Sequence, residues 1–353
     1  MLNKMQVAFI YNDIFRYSNF GSNHPVLARR VSNVYDFSKI LPIRSKINFI
    51  YNEIADLSTL STFHSKDYLE VLKKTELTQS ISKIDSERYN LGTSSNPIFN
   101  EMYKRHATSA GALLLAVDLV VKEKYNYAFT PGSGAHHGKA NMASGFCYIN
   151  DIAVTILKLK LEGYKKILYL DMDAHYGDGV VDHFRKDPDV FTISIHQKDL
   201  WPRTGSYVDD KVFYTLNYPV ERGFDDFQFK KLFDDTIYKK IIKYQPRIVL
   251  MQMGADSQSG DKMSALELSN NALVYLIKNI KCLCDKIVVM GGGGYNPWVT
   301  LRSWTYNLAE LTGSKYPLQL NNTAIEFLKN IDFKVKPRPS WLNSIEDKPN
   351  IFF

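Results

Sequence analysis

The chain has 353 residues, of which 45% are hydrophobic and 23% charged, and its formal net charge is +7. This length suits one large α/β domain or two smaller ones, and the composition is ordinary for a soluble globular protein. The sequence contains no basic block, RNP signature or zinc-finger spacing, so we predict no direct binding to nucleic acid.

Cysteine usage and hydropathy limit the cellular compartment. The three cysteines, Cys147, Cys282 and Cys284, provide no disulfide framework, which favours a reducing compartment. We place Cys282 and Cys284 in a helix, as core residues. No stretch approaches the roughly 18 apolar residues of a membrane helix, and the apolar run near the start is too short for a signal peptide. We therefore expect a cytoplasmic protein with no membrane segment, and its oligomeric state stays open.

The first half of the chain alternates short apolar strands with helices. The patterns predict, in order, a strand over 6–11, a helix opening at Arg29 and Arg30 and running through Val34, a helix over 60–75, a turn-rich loop over 91–97, a long apolar helix over 103–124 and a strand over 127–130.

The second half repeats this alternation. The patterns predict a helix over 150–161, a strand over 167–170, a short helix over 180–184, a strand over 190–195, a helix over 227–244, a strand that opens the segment RIVLMQMGADSQSGD and ends in the acid Asp256, a helix over 269–284 and a strand over 286–290. The segment after Leu311 has a less regular pattern.

This β–α alternation predicts one α/β domain over residues 1–353. We expect an open, doubly wound, mostly parallel sheet flanked by helices, with a motif-bearing core over about 11–311 and a C-terminal tail over about 312–353. No GxGxxG or GxxxxGK[ST] motif follows a strand, so nucleotide binding lacks its usual fingerprint.

One stretch, KKILYLDMDAHYGDG at 165–179, concentrates ionisable residues after an apolar strand. If the strand continues, the alternation of side chains points Asp171, Asp173 and His175 to the same side, with Asp178 following. A single Asp here is often a helix cap, but several like charges this close require a cation. Carboxylate plus imidazole favours zinc over magnesium.

A rival interpretation of the same stretch is an aspartyl-phosphate phosphotransferase with Asp171 as the nucleophile. Such enzymes also end an apolar strand in Asp-x-Asp, but they place Thr or Val two residues after the second Asp. This chain has His175 there. The metal site is therefore the stronger hypothesis.

Three other strand ends carry reactive side chains. His136 and His137 follow one strand, Asp256 follows another, and Tyr295 follows four glycines after the last. A catalytic zinc needs three protein ligands, and Asp173, His175 and Asp256 provide them with a charge that balances a divalent ion. A histidine pair beside such a metal can transfer protons, and a phenol after flexible glycines can approach a substrate carbonyl.

These motifs resemble the zinc-dependent histone deacetylase superfamily, which has the arginase/deacetylase fold and includes bacterial acetoin-utilisation and acetylpolyamine deacetylases. The matching segments, in the family's order from about Tyr11 to Leu311, are GSGAHHGKANMASGFCYIND, DMDAHYGDGV, TISIH, GADSQSGD and GGGGYN. The resemblance implies a metal-dependent amidohydrolase that deacetylates lysine.

The resemblance also assigns roles to individual residues. It implies that Asp173, His175 and Asp256 hold Zn²⁺, with Fe²⁺ as an alternative, and that a structural K⁺ is present. It further implies that His137 is the general base and acid, that His136 assists it electrostatically, and that Asp171 and Asp178 orient His136 and His137 respectively. Tyr295 would be the oxyanion donor, and the substrate contacts would be Gly145, Phe146, Trp201 and Gly293. The resemblance also places Arg30 in an inner cavity and assigns the potassium site to Asp171, Asp173, His175, Ser194 and Ile195.

Three positions bear on the substrate. Tyr176 replaces a histidine common in relatives, but that position is not a ligand. Ser95 stands where relatives usually have an Asp that holds the substrate backbone, and Met263 stands where one acetylpolyamine-preferring branch has a glutamate. We therefore expect acetylated lysine in proteins or peptides as the substrate, with histones among the candidates. An acetylpolyamine deacetylase and a non-catalytic acetyl-lysine binder are the alternatives.

Overall fold

The structure, a computed structural model, describes residues 7–26, 29–210, 214–315 and 317–348. The strands are β1 (Val7–Tyr11), β2 (Ile47–Tyr51), β3 (Tyr127–Thr130), β4 (Ile167–Asp171), β5 (Val190–Gln197), β6 (Val208–Asp210), β7 (Thr215–Val220), β8 (Ile248–Gln252) and β9 (Ile287–Met290). The helices are α1 (Ile14–Tyr17), α2 (Arg30–Ile40), α3 (Leu57–Leu60), α4 (Lys66–Thr78), α5 (Lys83–Tyr89), α6 (Met102–Val121), α7 (Asp151–Leu161), α8 (Asp178–Phe184), α9 (Asp226–Leu232), α10 (Tyr238–Tyr244), α11 (Asn270–Lys281), α12 (Pro297–Leu311) and α13 (Asn322–Lys329).

Across the described residues the strands form one nine-stranded sheet in the order β2-β1-β3-β9-β8-β4-β5-β7-β6. Neighbouring strands are parallel, except that β6 runs antiparallel to β7. The prediction of an open, mostly parallel α/β sheet is therefore confirmed. None of the described helices is both long and apolar enough to cross a membrane.

The two faces of the sheet support separate hydrophobic cores because side chains alternate along each strand. In β4, Leu168 and Leu170 join the core that includes buried residues of α2, α11 and α12. Ile167 and Tyr169 join the opposite core, with residues of α6, α7 and α8. All five residues of β4 are buried, as expected for a central parallel strand covered on both faces.

Several predicted boundaries change in the structure. The first strand begins at Val7, and Gln6 lies outside the described residues. The helix predicted over 60–75 is two helices, α3 and α4, and the segment over 227–244 contains a π-helical turn at Phe233–Ile237 between α9 and α10.

The placement of two cysteines in a helix was wrong. Helix α11 ends at Lys281, so Cys282 and Cys284 follow it. Cys284 is buried and Cys282 is exposed, so only Cys284 is a core residue.

Candidate active site and metal centre

The reactive side chains lie in loops that follow four consecutive strands of the sheet, β3, β9, β8 and β4. His136 and His137 follow β3, Tyr295 follows β9, Asp256 follows β8, and Asp173 and His175 follow β4. Because these strands are parallel, their carboxyl ends meet at one edge, which is where open α/β sheets place their ligands.

Strand β4 ends at Asp171, so the predicted continuation of strand alternation to Asp173 and His175 was wrong. The two residues lie in a bend after the strand. The bend is held by side-chain acceptors: Asp171 Oδ1 accepts the Asp173 N–H at 3.0 Å, and Asp173 Oδ1 accepts the His175 N–H at 3.0 Å. This local turn, rather than strand pleating, directs both side chains into the site.

Asp173, His175 and Asp256 form a buried cluster suited to a metal ion. One donor atom from each residue lies within 4.8 Å of the other two. His175 Nδ1 is 3.0 Å from Asp173 Oδ1 and 3.0 Å from Asp256 Oδ2. Two carboxylates and one imidazole match the donor set and charge of a divalent transition metal with an open coordination position.

The electrostatics of this cluster also favour a cation. Burial opposes charge on His175, yet hydrogen bonds to Asp173 and Asp256 raise its pKa to about 10. Burial and the neighbouring Asp173 carboxylate raise the pKa of Asp256 to about 7. In the metal-free protein a proton on His175 therefore offsets negative charge that a metal ion would otherwise balance.

Glycines make room for this cluster. A Cβ on Gly254 would collide with the Asp173 carboxylate, and one on Gly293 would collide with the Asp256 carboxylate. The Gly293 N–H also donates to Asp173 Oδ2 at 2.7 Å, and Gln252 Nε2 donates to the same oxygen at 2.7 Å. Backbone and amide donors thus hold the Asp173 carboxylate in position.

The two adjacent histidines are each paired with a buried carboxylate. The Nδ1 atom of His136 lies 2.7 Å from Asp171 Oδ2, and that of His137 lies 2.7 Å from Asp178 Oδ1. Because an ionised carboxylate only accepts hydrogen bonds, each Nδ1 carries the hydrogen and each Nε2 is left for chemistry. The two pairs agree with the orienting partners that the resemblance implies.

The same two histidines differ in charge. Burial opposes protonation of His136, but the carboxylates of Asp171 and Asp173 outweigh it and raise its pKa to about 9. Burial and the charge of His136 lower the pKa of His137 to about 3. In the metal-free site His137 is therefore neutral at pH 7, the form that can accept a proton.

Tyr295 is held by its backbone. Asp261 Oδ2 accepts the N–H groups of Tyr295 and Asn296 at 2.6 and 2.9 Å. Burial, with the carboxylates of Asp256 and Asp173, raises the pKa of Tyr295 well above its ordinary value. The phenol therefore stays protonated and able to donate a hydrogen bond.

A cavity of about 80 Å³ lies beside these groups. Its lining includes the predicted site residues His136, His137, Asp173, Gly145, Phe146, Gly293, Tyr295 and Arg30. The guanidinium of Arg30 donates to the Gly294 carbonyl at 3.0 Å and lies 5.4 Å from the centroid of the Trp304 ring.

Aromatic rings stand beside the catalytic groups. The Trp201 ring is 4.6 Å from the His137 ring and is 44% exposed, which places it at the solvent side. The Phe146 ring is 6.2 Å from that of Tyr295. Gly145 adopts φ +53°, and a Cβ there would collide with both Trp201 and His137. Only glycine fits this position without strain.

The remaining predicted substrate residues lie farther from the cavity. Ser95 is exposed in its loop, and the neighbouring Asn96 is buried and accepts the Phe146 N–H at 3.1 Å. Met263 is half-buried, and its N–H donates to Asp261 Oδ1 at 3.0 Å. Neither Ser95 nor Met263 is among the residues that line the cavity.

Three residues of the predicted potassium site lie on two paired strands, and the other two, Asp173 and His175, lie in the bend after β4. Asp171 of β4 is in register with Ser194 of β5, and Ile195 follows. The Ser194 hydroxyl lies 2.9 Å from His196 Nδ1. Asp171, Ser194 and Ile195 are all buried.

Several polar residues that position the site were not singled out from the sequence. Asp151 accepts the N–H groups of Gly134 and Ala135 at 3.0 and 2.9 Å, which holds the loop before His136. Lys139 Nζ lies 2.6 Å from Asp178 Oδ2. Asp151 and Asp261 lie inside segments that match the family motifs. That match was the only feature of the sequence that pointed to these two residues.

Comparisons with known proteins agree with this arrangement. Residues 24–311 match the family described as the histone deacetylase domain. The chain is 31% identical over 318 residues to histone deacetylase 6 of Arabidopsis thaliana, covering 88% of this chain and 67% of that protein. It is 30% identical over 359 residues to histone deacetylase 9 of the same plant, covering 99% and 84%.

Solved structures give the same result for the fold. The crystal structure of a histone deacetylase homologue from Aquifex aeolicus superposes with a TM-score of 0.88 and 32% identity, covering 97% of this chain and 95% of that chain. The expected family is thereby confirmed by sequence and by structure together. The chain belongs to the histone deacetylase family.

Proposed function

We propose that the protein is a zinc-dependent hydrolase that removes acetyl, or other short acyl, groups from the ε-amino group of lysine in proteins or peptides. The observation that carries this proposal is the position of His137. Its neutral imidazole is fixed by Asp178, and its ring lies 6.1 Å from that of His175 in the metal-suited cluster. A base beside a metal site is the arrangement that amide hydrolysis requires.

Asp173, His175 and Asp256 would hold the metal, with Zn²⁺ favoured and Fe²⁺ the alternative. When bound, such an ion polarises an acyl carbonyl and lowers the pKa of a coordinated water. The mixed carboxylate and imidazole donors, and a protein charge of −2 against the ion's +2, support this assignment.

The chain's own residues would move the protons. His137 Nε2 would accept a proton from the attacking water and pass it to the nitrogen of the departing lysine. The Tyr295 hydroxyl would donate a hydrogen bond to the oxygen on which negative charge develops. Asp178 would stabilise the positive charge that His137 gains in between.

The proposed substrate is acetyl-lysine rather than an acetylpolyamine. Phe146 and Trp201 would flank the uncharged methylene chain of lysine, and the Gly145 carbonyl would accept the substrate amide N–H. Met263 offers no carboxylate for a second ammonium group. The exposed Ser95 supports the alternative, an acylamine deacetylase. A serine at this position has no carboxylate with which to anchor a peptide backbone.

A structural K⁺ is also proposed at the residues Asp171, Asp173, His175, Ser194 and Ile195. The pairing of β4 with β5 supports this proposal, because it brings two of the three segments that carry these residues side by side.

The phosphotransferase alternative is disfavoured by the surroundings of Asp171. Its carboxylate is fully buried and accepts hydrogen bonds from Tyr169 Oη at 2.6 Å and the Asp173 N–H at 3.0 Å, besides its contact with His136. A nucleophile needs a free and accessible oxygen. A non-catalytic binder is disfavoured because the ligands, the base and the phenol are all present.

The direct test compares kcat/KM for an acetyl-lysine peptide and for N-acetylputrescine, using metal-loaded protein. We expect the peptide to be preferred. A clear preference for the polyamine would favour the acylamine alternative, and no hydrolysis of either would contradict the proposed function.

Replacing the proposed oxyanion donor, Tyr295→Phe, tests the mechanism. We expect kcat to fall by a factor on the order of 10²–10³ with metal content unchanged, since one donor to the oxyanion contributes about that much. The exposed Tyr17, replaced as Tyr17→Phe, is the matched control. Near-normal turnover of the Tyr295 variant would show that this residue serves only the turn.

A further inference from the structure

The active-site cavity is lined by two arginines as well as by the proposed catalytic groups. Its lining combines the proposed catalytic side chains with Arg30, Arg105, Ser109, Gly132 and Ser133. Gly132 lets the Phe15 ring approach its backbone, since a Cβ there would collide with that ring. The two arginines therefore share one cavity with the groups at which an acyl group would react.

Arg105 is a buried cation with no acidic partner among the described residues. It is 5% exposed, and its Nη1 donates to the Ser18 carbonyl at 2.9 Å. Its guanidinium lies 5.2 and 5.6 Å from the ring centroids of Phe15 and Phe20. It also stands in the first turn of α6, where the helix dipole disfavours positive charge.

Arg30 adds a second positive charge to the same cavity. Its Nε is buried and has no hydrogen-bond partner in the part of the chain that the structure describes. Burial and repulsion by Arg30 lower the pKa of Arg105 to about 9, so Arg105 remains charged at pH 7. Two guanidinium groups that share a buried space are stabilised only when an anion joins them.

We propose that Arg105, with Arg30, binds the distal carboxylate of a dicarboxylic acyl group, so that succinyl- or glutaryl-lysine is a substrate. This inference rests on the proposed function and specifies its acyl group. Hydrolysis would form a bond from water oxygen to the acyl carbon and break the carbon–nitrogen bond. Both protons of the water would end on the lysine nitrogen, so that lysine is released as an ammonium and the acyl group as a free dicarboxylate.

An acyl group that ends in a carboxylate suits the space beside Arg30 and Arg105 better than an uncharged acyl group does. A planar guanidinium can bind a carboxylate through two parallel hydrogen bonds. An uncharged chain of the same length would displace solvent from the two cations and offer them no acceptor.

The test compares peptides that differ only in the acyl group on one lysine. The first carries succinyl, and the second carries its primary amide, succinamoyl, which has the same shape without the charge. We expect kcat/KM to favour succinyl by about 10- to 100-fold, the range of a charge-assisted hydrogen bond. In Arg105→Met, a replacement of similar length, this ratio should fall to about one.

Two further variants keep the test specific. Arg44→Met removes an exposed arginine that lies before the amino end of β2, whereas the active site lies at the carboxyl ends of the strands. This variant should keep the wild-type ratio. Arg105→Lys retains the positive charge but not the planar guanidinium that can form two parallel hydrogen bonds, so we expect an intermediate ratio. It also covers the case in which Arg105→Met does not fold.

A binding measurement separates the acyl group from a free acid. Calorimetric titration of metal-free wild type and Arg105→Met with acetate, and with acetamide as control, reports whether Arg105 binds a carboxylate without turnover. Acetate binding that depends on Arg105, together with no preference for succinyl peptides, would mean that the cavity holds the released acid, and the acyl proposal would be wrong.

The outcomes also distinguish this inference from the proposed function. Hydrolysis of acetyl-lysine with a succinyl-to-succinamoyl ratio of one or less would overturn only the carboxylate assignment. Failure to hydrolyse any of the acyl-lysine peptides would overturn the proposed function as well.

Discussion

At the scale of single residues, neighbours give similar carboxylates different properties. Burial raises the pKa of Asp171, whereas hydrogen bonding to His137 and the charge of Lys139 outweigh burial and lower the pKa of Asp178. The two oxygens of Asp178 serve two partners, His137 Nδ1 and Lys139 Nζ. Lys139 thereby keeps Asp178 ionised, which keeps Nδ1–H of His137 donating.

The first residue-scale prediction concerns metal content. Asp256→Ala removes one of three donor atoms that lie within 4.8 Å of one another. With two remaining ligands the site no longer provides the three protein donors that a catalytic metal needs, so we expect the purified variant to hold little metal, against about one equivalent in wild type. Elemental analysis after dialysis measures this.

The control for that experiment is Asp235→Ala, which removes an exposed acid in the π-helical turn Phe233–Ile237. It should keep the wild-type metal content. Full metal loading of Asp256→Ala, or full activity of wild type in a strong chelator, would contradict the assignment of the metal centre.

At the scale of elements, buried polar residues fix the loops that follow the strands. His64 is 2% exposed, and its Nε2 accepts the N–H of Asn150 at 2.9 Å. Asn150 is the N-cap of α7, and its side chain accepts the Ala153 N–H. The same helix begins with Asp151, which holds the backbone before His136. One neutral histidine therefore supports the start of the helix that positions the catalytic loop.

This contact predicts a pH dependence of stability. Burial lowers the pKa of His64 to about 4 in the folded protein, against an ordinary value of 6.5. Between these values the unfolded chain binds the proton and the folded chain does not, so the stability is complete above pH 6.5 and declines as pH falls towards 4. From pH 7 to pH 5 the loss from His64 is about 1–2 kcal/mol.

The variant His64→Gln keeps an acceptor and removes the titration. We expect its unfolding free energy to fall less than that of wild type between pH 7 and pH 5, measured by denaturant unfolding at saturating metal. Other titrating groups contribute equally to both proteins, so the difference isolates His64. Parallel losses in the two proteins would show that His64 does not carry this dependence.

At the scale of the whole molecule, the C-terminal segment packs against the helix that follows β9. Arg302 of α12 donates to the Ser344 and Glu346 carbonyls at 2.7 Å each and pairs with Asp347 at 2.9 Å. The buried Trp341 ring lies against Gly260, where a Cβ would collide with it. Gly260 precedes Asp261, the residue that holds the backbone of Tyr295. The tail is therefore connected to the active site through packing.

The whole-molecule prediction follows from these contacts. Ending the chain after Lys336 removes buried Trp341 and Ile345 and leaves the Arg302 guanidinium without its partners. We expect the unfolding free energy to fall by at least about 3 kcal/mol, because each large apolar side chain contributes about 1.5–3 kcal/mol on burial. Turnover should fall as well. Calorimetry and the acetyl-lysine assay measure the two effects.

Two point variants control for the truncation. Trp341→Ala should reproduce a large part of the stability loss, whereas Asn343→Ala, at an exposed position of the same segment, should change little. Unchanged stability of the truncated chain would show that the segment is an appendage and not part of the core.

The sequence alone predicted the central strands and the parts of the site that follow them. Strands such as β3 and β4 are short apolar runs that end in charge or glycine, so their boundaries depend on local pattern. The edge strand β2 and the strand β7, which lies next to the other edge, were not predicted, because they lack a continuous apolar run and form only against their neighbours. The fully buried helix α12 was also missed.

For the active site, the sequence determined the reactive residue types and their order, and the motifs indicated the family. Tertiary structure decided how they are held. Asp173 and His175 meet Asp256 through a bend and not through a continued strand, and Lys139 reaches Asp178 across a loop. It also decided the charge inside the cavity, because Arg105 has no acidic partner among the described residues and is held instead by contacts with Ser18 and Phe15, which lie far away in the sequence. Local pattern sets hydrophobic periodicity, whereas burial and pKa depend on residues that only folding brings together.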